Sequence, residues 1–260
     1  NTLPVQVGSN YNPVYNNRQS ILGEVIIFKQ EFYKTNYIFG FGTTEDVPNG
    51  YALYITAGYN KHYNLSRSYL GISAERDLIR NNGAFFRARI KIGGYYYKTE
   101  IQDGSILAAI NYYTKVLPVY KGRMRQQIKL SYTELSNRIT SLPLALNNDY
   151  GLASFNADSI FGKRRISAYC ENTLYTNPKL FGFRFAPFLF AQAALLTPEK
   201  TEFYKSDIYT GIGGGLRFRN ENLIFGTVEL RATYFPRKVN GLQQFQFAIS
   251  SNIRFRYNSN

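Results

Sequence analysis

The chain has 260 residues, 31 Lys and Arg against 17 Asp and Glu for a formal charge of +14, and 23 Tyr and 20 Phe with no Trp. A single cysteine, Cys170, and a single histidine, His62, exclude an internal disulfide and metal centres built from several such ligands. No apolar run is long enough for a transmembrane helix, since the longest, 185–196, is broken by Pro187 and Gln192; one large all-β domain fits the length.

Residues 1–19 are rich in Asn, contain Pro4 and Pro13 and lack alternation. They read as an irregular arm, or as a strand-addition segment that contacts a partner, ahead of a β domain over 20–260. Segments 21–30 and 37–42 suggest a further pair of strands, with 43–50 as the connection. Ten further segments read as strands: 51–60, 66–77, around 86–92, 103–115, around 123–132, 164–175, 180–195, 207–219, 224–235 and 245–257. With the N-terminal pair that makes about twelve.

The alternation is clean on several of these. Ala88, Ile90 and Ile92 oppose Arg87, Arg89 and Lys91, and Met124, Ile128, Leu130 and Tyr132 oppose Arg123, Arg125, Gln127 and Lys129. Val228, Leu230, Ala232 and Tyr234 oppose Glu229, Arg231 and Thr233. The closing strand sets Phe245, Phe247, Ile249, Ile253, Phe255 and Tyr257 against Gln244, Gln246, Arg254 and Arg256. The positive charge is therefore spread over strand faces and not gathered in runs, which argues against nucleic acid as a partner.

Strands apolar on one face and cationic on the other suit a wall between lipid and water. Only a closed barrel can span a membrane with such segments. The expected fold is an all-β, antiparallel transmembrane β-barrel in an outer membrane, in contact with its lipids, including lipopolysaccharide. Tyrosines near strand ends, at 95–97, 112–113 and 234, suit interfacial girdles. Short connections at 177–179 and 220–222 and long ones at 135–163 and 197–206 suit periplasmic turns and outer loops, with both chain ends periplasmic. A soluble two-sheet sandwich also alternates, but aromatics opposite arginines on nearly every strand count against it.

Three segments carry a family likeness: Phe39-Gly-Phe-Gly-Thr-Thr-Glu-Asp-Val-Pro-Asn-Gly50, Leu180-Phe-Gly-Phe-Arg-Phe-Ala-Pro187 and Gly211-Ile-Gly-Gly-Gly-Leu-Arg-Phe-Arg-Asn-Glu-Asn-Leu223. From about residue 21 to 257 the chain resembles a Bacteroidota family of unknown function, a surface-antigen-type barrel that usually follows a carboxypeptidase-regulatory-like domain. That family looks like a distant branch of the BamA and TamA superfamily, whose sixteen-stranded barrels insert or translocate proteins at the outer membrane. The likeness implies about four further strands upstream; a complete barrel of about twelve is the alternative.

In that superfamily a long loop enters the lumen, and its arginine, followed by glycine and an aromatic, reaches an aspartate on the wall. The resemblance places this loop at 135–163, with five strands after it. The matching residues are Gly151, Leu152, Ala153, Ser154 and Phe155, so Ala153 stands for the arginine, Ser154 for the glycine and Gln192 for the aspartate. Both halves of the ion pair are missing together, as expected when an interaction is abandoned, because losing one alone would strand a buried charge.

The inward basic set, Arg87, Arg89, Lys91, Arg123, Arg125, Lys129, Arg217, Arg219, Arg231, Arg254 and Arg256, either favours anions in a wet lumen or pairs with the few acids, such as Glu171 and Glu229, and with loop backbone. Gly211, Gly213 and Gly215 share a face, which invites close approach by another backbone, plausible for the plugging loop; a phosphate-cradling loop would need a helix that the pattern does not offer. His62, in a short loop near Ser66 and Ser68, is the one candidate base for a surface lipid hydrolase. The favoured expectation is a non-enzymatic barrel without cofactor, an accessory or structural component that works with other envelope proteins in assembly or export. A passive pore, or an anchor for periplasmic domains, is the rival.

Overall fold

The computed structural model describes residues 17–38, 40–62, 65–157, 160–220 and 227–251. In chain order the strands are β1 (Arg18–Thr35), β2 (Glu45–His62), β3 (Leu65–Ile79), β4 (Phe85–Tyr97), β5 (Glu100–Tyr113), β6 (Leu117–Val119), β7 (Gly122–Ser136), β8 (Leu144–Ala145), β9 (Phe161–Gly162), β10 (Arg164–Thr176), β11 (Lys179–Leu180), β12 (Phe183–Thr197), β13 (Asp207–Asn220), β14 (Val228–Tyr234) and β15 (Phe245–Ser251). Thirteen of them form one antiparallel meander in the order β1-β2-β3-β4-β5-β7-β10-β12-β13-β14-β15, with β6 paired to β7 and β11 to β12. The two-residue strands β8 and β9 pair with each other inside the long β7–β10 connection.

The ten long strands from β2 onward match the ten expected segments. The N-terminal pair does not form. One 18-residue strand, β1, runs to Thr35, and the supposed connection 43–50 is largely the start of β2. Pro48 is tolerated there, beside the sheet edge. Eleven strands on the path is an odd number, so Arg18 and Ser251 lie at opposite ends of the strands, not at one end. Connection lengths do not alternate strictly either, because the two-residue turn 98–99 lies at the same end as the long segment 137–163. Ile253, Arg254, Phe255, Arg256 and Tyr257 fall outside the described residues.

Register assigns the faces. Ile55, Ile72, Ile92 and Ile106 form one cross-strand row, while Asp77, Arg87, Asn111 and Lys129 form a row on the other face. Apolar side chains on the first face are open, with Ile92 54%, Leu189 71% and Phe247 81% exposed. The second face is the inner one: the sheet curls until Arg87 of β4 and Arg231 of β14 line one cavity. β1 departs from the pattern, since Leu22, Ile26, Phe28 and Phe32 share its inner face and stay half exposed at the sheet edge.

Gly213 and Gly215 leave room on the inner face for aromatic rings of β12. A Cβ at Gly213 would stand 2.2 Å from the Ala232 carbonyl and 2.7 Å from the Phe190 ring; at Gly215 the Leu230 carbonyl and the Phe188 ring would be 2.1 and 2.5 Å away. The expected approach of loop backbone is not what these two serve. Aromatic rings cover the glycines instead. Gly213→Val should therefore cost about 1–3 kcal/mol, read as a lower urea midpoint, whereas Thr210→Val on the opposite face should leave the midpoint nearly unchanged.

Candidate functional site

Two irregular segments fill the inner side of the curled sheet. The larger is 137–163, which can be called the plug. At its start the Asp103 carboxylate accepts from the backbone N–H groups of Ile139, Thr140 and Ser141 at 2.7–2.9 Å, from the Thr140 hydroxyl at 2.6 Å and from Arg67 Nη1 at 2.7 Å. Both charged side chains are 1% exposed. The other Arg67 amino group donates to the Thr140 hydroxyl at 2.7 Å, and the guanidinium lies 4.4 Å from the centre of the Tyr95 ring. Asp103 has φ of 48°, a strained value for a non-glycine residue that aims its carboxylate at the turn above β5. Sequence reading missed this pair, because Arg67 and Asp103 are 36 residues apart and neither stands in a motif.

Further along, Ser131 and Ser167 each donate to the Tyr150 carbonyl, at 2.9 and 2.8 Å, and Arg89 donates to the Tyr150 hydroxyl at 2.9 Å. Arg165 donates to the Ala145 carbonyl. Ala153 and Gln192 meet. The Gln192 side-chain carbonyl accepts from the Ala153 N–H at 2.8 Å, and its amide donates to the Ala153 carbonyl at 3.0 Å. The two positions where the likeness implied a lost ion pair are thus joined by a neutral, two-point contact between a side-chain amide and a peptide. Opposite Gln192 in β13 stands Gly211, where a Cβ would lie 3.0 Å from the Gln192 amide nitrogen and 2.8 Å from the Phe235 ring.

Phe155 anchors the end of the plug. It is 1% exposed and meets the Tyr209 and Phe235 rings edge-on at 5.8 and 5.2 Å, in a cluster with Leu146, Leu152 and Leu196. Gly151 is required by packing, since a Cβ there would stand 2.0 Å from the Leu146 carbonyl. Ser154 adopts φ of 61°, the left-handed value that glycine takes without strain.

The smaller segment, 36–44, closes on the opposite end of the strands. Arg125 donates to the Asn36, Tyr37 and Gly83 carbonyls at 3.4, 3.0 and 2.7 Å, and Arg184 to the Phe41 carbonyl at 3.2 Å. Tyr37 packs on Tyr175 with ring centres 4.9 Å apart, and Arg123 lies over the Tyr37 ring.

Between the two segments runs a charge network. Arg217 bonds Glu171 at 2.5 and 2.9 Å and Glu229 at 2.6 Å, while Arg231 bonds Glu229 at 2.8 Å and stands over the Phe190 ring at 4.6 Å. The inward basic set therefore divides. Arg87, Arg89, Arg217 and Arg231 have carboxylate partners, and Arg125 has loop carbonyls. Lys91, Lys129 and Arg219 share the inner face without a carboxylate in salt-bridge reach among the described residues. Several tyrosines expected at interfaces turn inward as well: Tyr95 lies beneath Arg67, and Tyr113 accepts from Gln127 at 2.7 Å.

No family model matches the chain, and no curated protein matches it. His62 is not in a loop; it ends β2, buried on the inner face, while Ser66 and Ser68 fall in register on the outer face of β3, so the suggested serine and histidine lie on opposite sides of the sheet. Among the described residues no cluster of His, Cys, Asp and Glu is arranged to hold a metal.

Asp103→Ala leaves Arg67 buried and unpaired and should destabilise the protein by about 3–5 kcal/mol, measured by urea unfolding. The double variant Arg67→Met with Asp103→Leu should lose clearly less than the single one. Gln192→Leu strands both polar groups of Ala153 and should cost about 1–3 kcal/mol, with increased protease cleavage within 147–155.

Proposed function

We propose that this chain forms an outer-membrane β-barrel, closed to free passage by the plug, that serves as a non-enzymatic accessory or structural component of an assembly or export machinery, in the manner of proteins related to BamA and TamA. The observation that carries the membrane reading is the outer face. It presents a broad field of aliphatic side chains bounded by exposed Tyr51, Tyr59 and Tyr96, far beyond the few hundred Å² that a soluble monomer leaves open. From Tyr51 to Tyr59 the strand covers about 26 Å at 3.3 Å per residue, or about 20 Å of height at a tilt of about 40°, most of the apolar band of such barrels, about 25 Å tall.

The plug supports an accessory role over a pore. Side chains from β4, β5, β7, β10, β12 and β13 hold it, so the centre of the lumen is occupied by packed protein. The lipids of the outer membrane, lipopolysaccharide among them, would contact the aliphatic face, and other envelope proteins would be the functional partners.

The test is purification of the full-length protein from outer membranes in mild detergent. Stoichiometric recovery with secretion or assembly proteins supports the accessory role; recovery of the barrel alone overturns it in favour of an anchor or pore. For the membrane placement, Ile90→Arg on the outer face should cost about 2–4 kcal/mol in lipid bilayers, and Ala109→Ser on the inner face should cost little. Equal, small effects would remove the case for lipid on that face.

A further inference from the structure

A cavity of about 530 Å³ lies between plug residues 147–154 and the inner wall of β4, β5, β7, β10 and β14, a size that suits a small ligand. Its charge is one-sided. Arg87, Arg89, Lys129 and Arg231 line it, against Asp149 alone among the carboxylates.

The three arginines are fixed from behind but keep donors in hand. Arg87 spends Nε and Nη2 on Asp77, at 2.6 and 2.7 Å. Arg89 is ion-paired with Glu75, its Nε 2.7 Å from the carboxylate, and donates from Nη1 to the Tyr150 hydroxyl. Arg231 spends Nε on Glu229 and Nη1 on the Tyr169 hydroxyl, and its Nη2 is a distant 3.8 Å from Glu171. Each therefore retains an amino group with little or nothing bound to it among the described residues, on a guanidinium whose orientation is already set. Such preset donors bind anions without the cost of ordering a mobile side chain.

Lys129 differs from all three. Its ammonium is 5.1 Å from the centre of the Tyr169 ring and has no carboxylate within salt-bridge reach among the described residues. Register places it in one cross-strand row with Arg87, with Asn111 between them as a neutral donor and acceptor. A single carboxylate offers two oxygens to such a ring of cations; a phosphoryl group offers three and up to two charges.

We propose that this cavity binds a small phosphorylated anion, with Lys129 as its principal charge contact. Free inorganic phosphates and the phosphomonoester of a sugar share the required chemistry. The site does not depend on the export role: the purified barrel can bind such an anion whether or not other proteins accompany it, so the two readings fail separately.

The experiment is calorimetric titration of the full chain in detergent with sodium pyrophosphate and with glucose 6-phosphate, against sodium acetate at equal ionic strength. Saturable one-to-one binding of either phosphate, weakened roughly tenfold or more in Lys129→Gln and retained in Lys129→Arg and Lys98→Gln, is the expected result, since loss of a charge-assisted contact is what the substitution isolates. Tighter binding of the sugar phosphate assigns the phosphomonoester, and tighter pyrophosphate the inorganic anion. Near-ultraviolet circular dichroism checks that Lys129→Gln is folded. The proposal is overturned by no saturable binding of either phosphate, by acetate binding equally well, or by equal affinity in folded Lys129→Gln.

Discussion

A guanidinium enclosed by a curled sheet needs acceptors, and this inner face has more guanidiniums than carboxylates. Five of its acids, Glu75, Asp77, Asp103, Glu171 and Glu229, are engaged by arginines. The deficit is met by backbone. Irregular segments have carbonyls that no ladder satisfies, and Arg125, Arg165 and Arg184 end on carbonyls of 36–44, of the turn at Gly83 and of the plug. Two shortages, one of acids on the wall and one of donors in the loops, thus cancel when the loops fold inward.

The same balance explains the aromatic content better than interfacial girdles alone do. Tyr95, Tyr113, Tyr169, Phe188 and Phe190 lie on the inner face beneath cations, and Arg217 stands 4.1 Å from the centre of the Phe188 ring. An aromatic face attracts a cation without adding negative charge. Flat rings also fill the concave wall where the glycines of β13 leave space, so electrostatic and packing demands are answered by one residue type.

Much of the sheet was legible because period-two patterning survives wherever one face meets a polar interior. Arg87, Arg89 and Lys91 against Ala88, Ile90 and Ile92 reads unambiguously, and the sheet follows it. β1 was misread since its apolar residues occupy both faces, so alternation could not separate strand from turn. The plug's position was legible from its length and the five strands after it. Its fastenings were not, with one exception: Ala153 and Gln192 were singled out as a lost contact, and they are joined by a different chemistry. The Arg67–Asp103 pair is a long-range contact that depends on a left-handed backbone angle, and no local pattern announces it.

The plug's fastenings run in chain order. Residues 139–141 dock on Asp103 and Arg67, which precede them; Tyr150 meets β4 and β7, then β10; Ala153 meets β12, and Phe155 meets Tyr209 and Phe235. Each successive anchor lies on a strand further along the meander. The last of them, the aromatic cluster around Phe155, takes Phe235 from just beyond β14, so the far end of the plug is tied to the far end of the sheet.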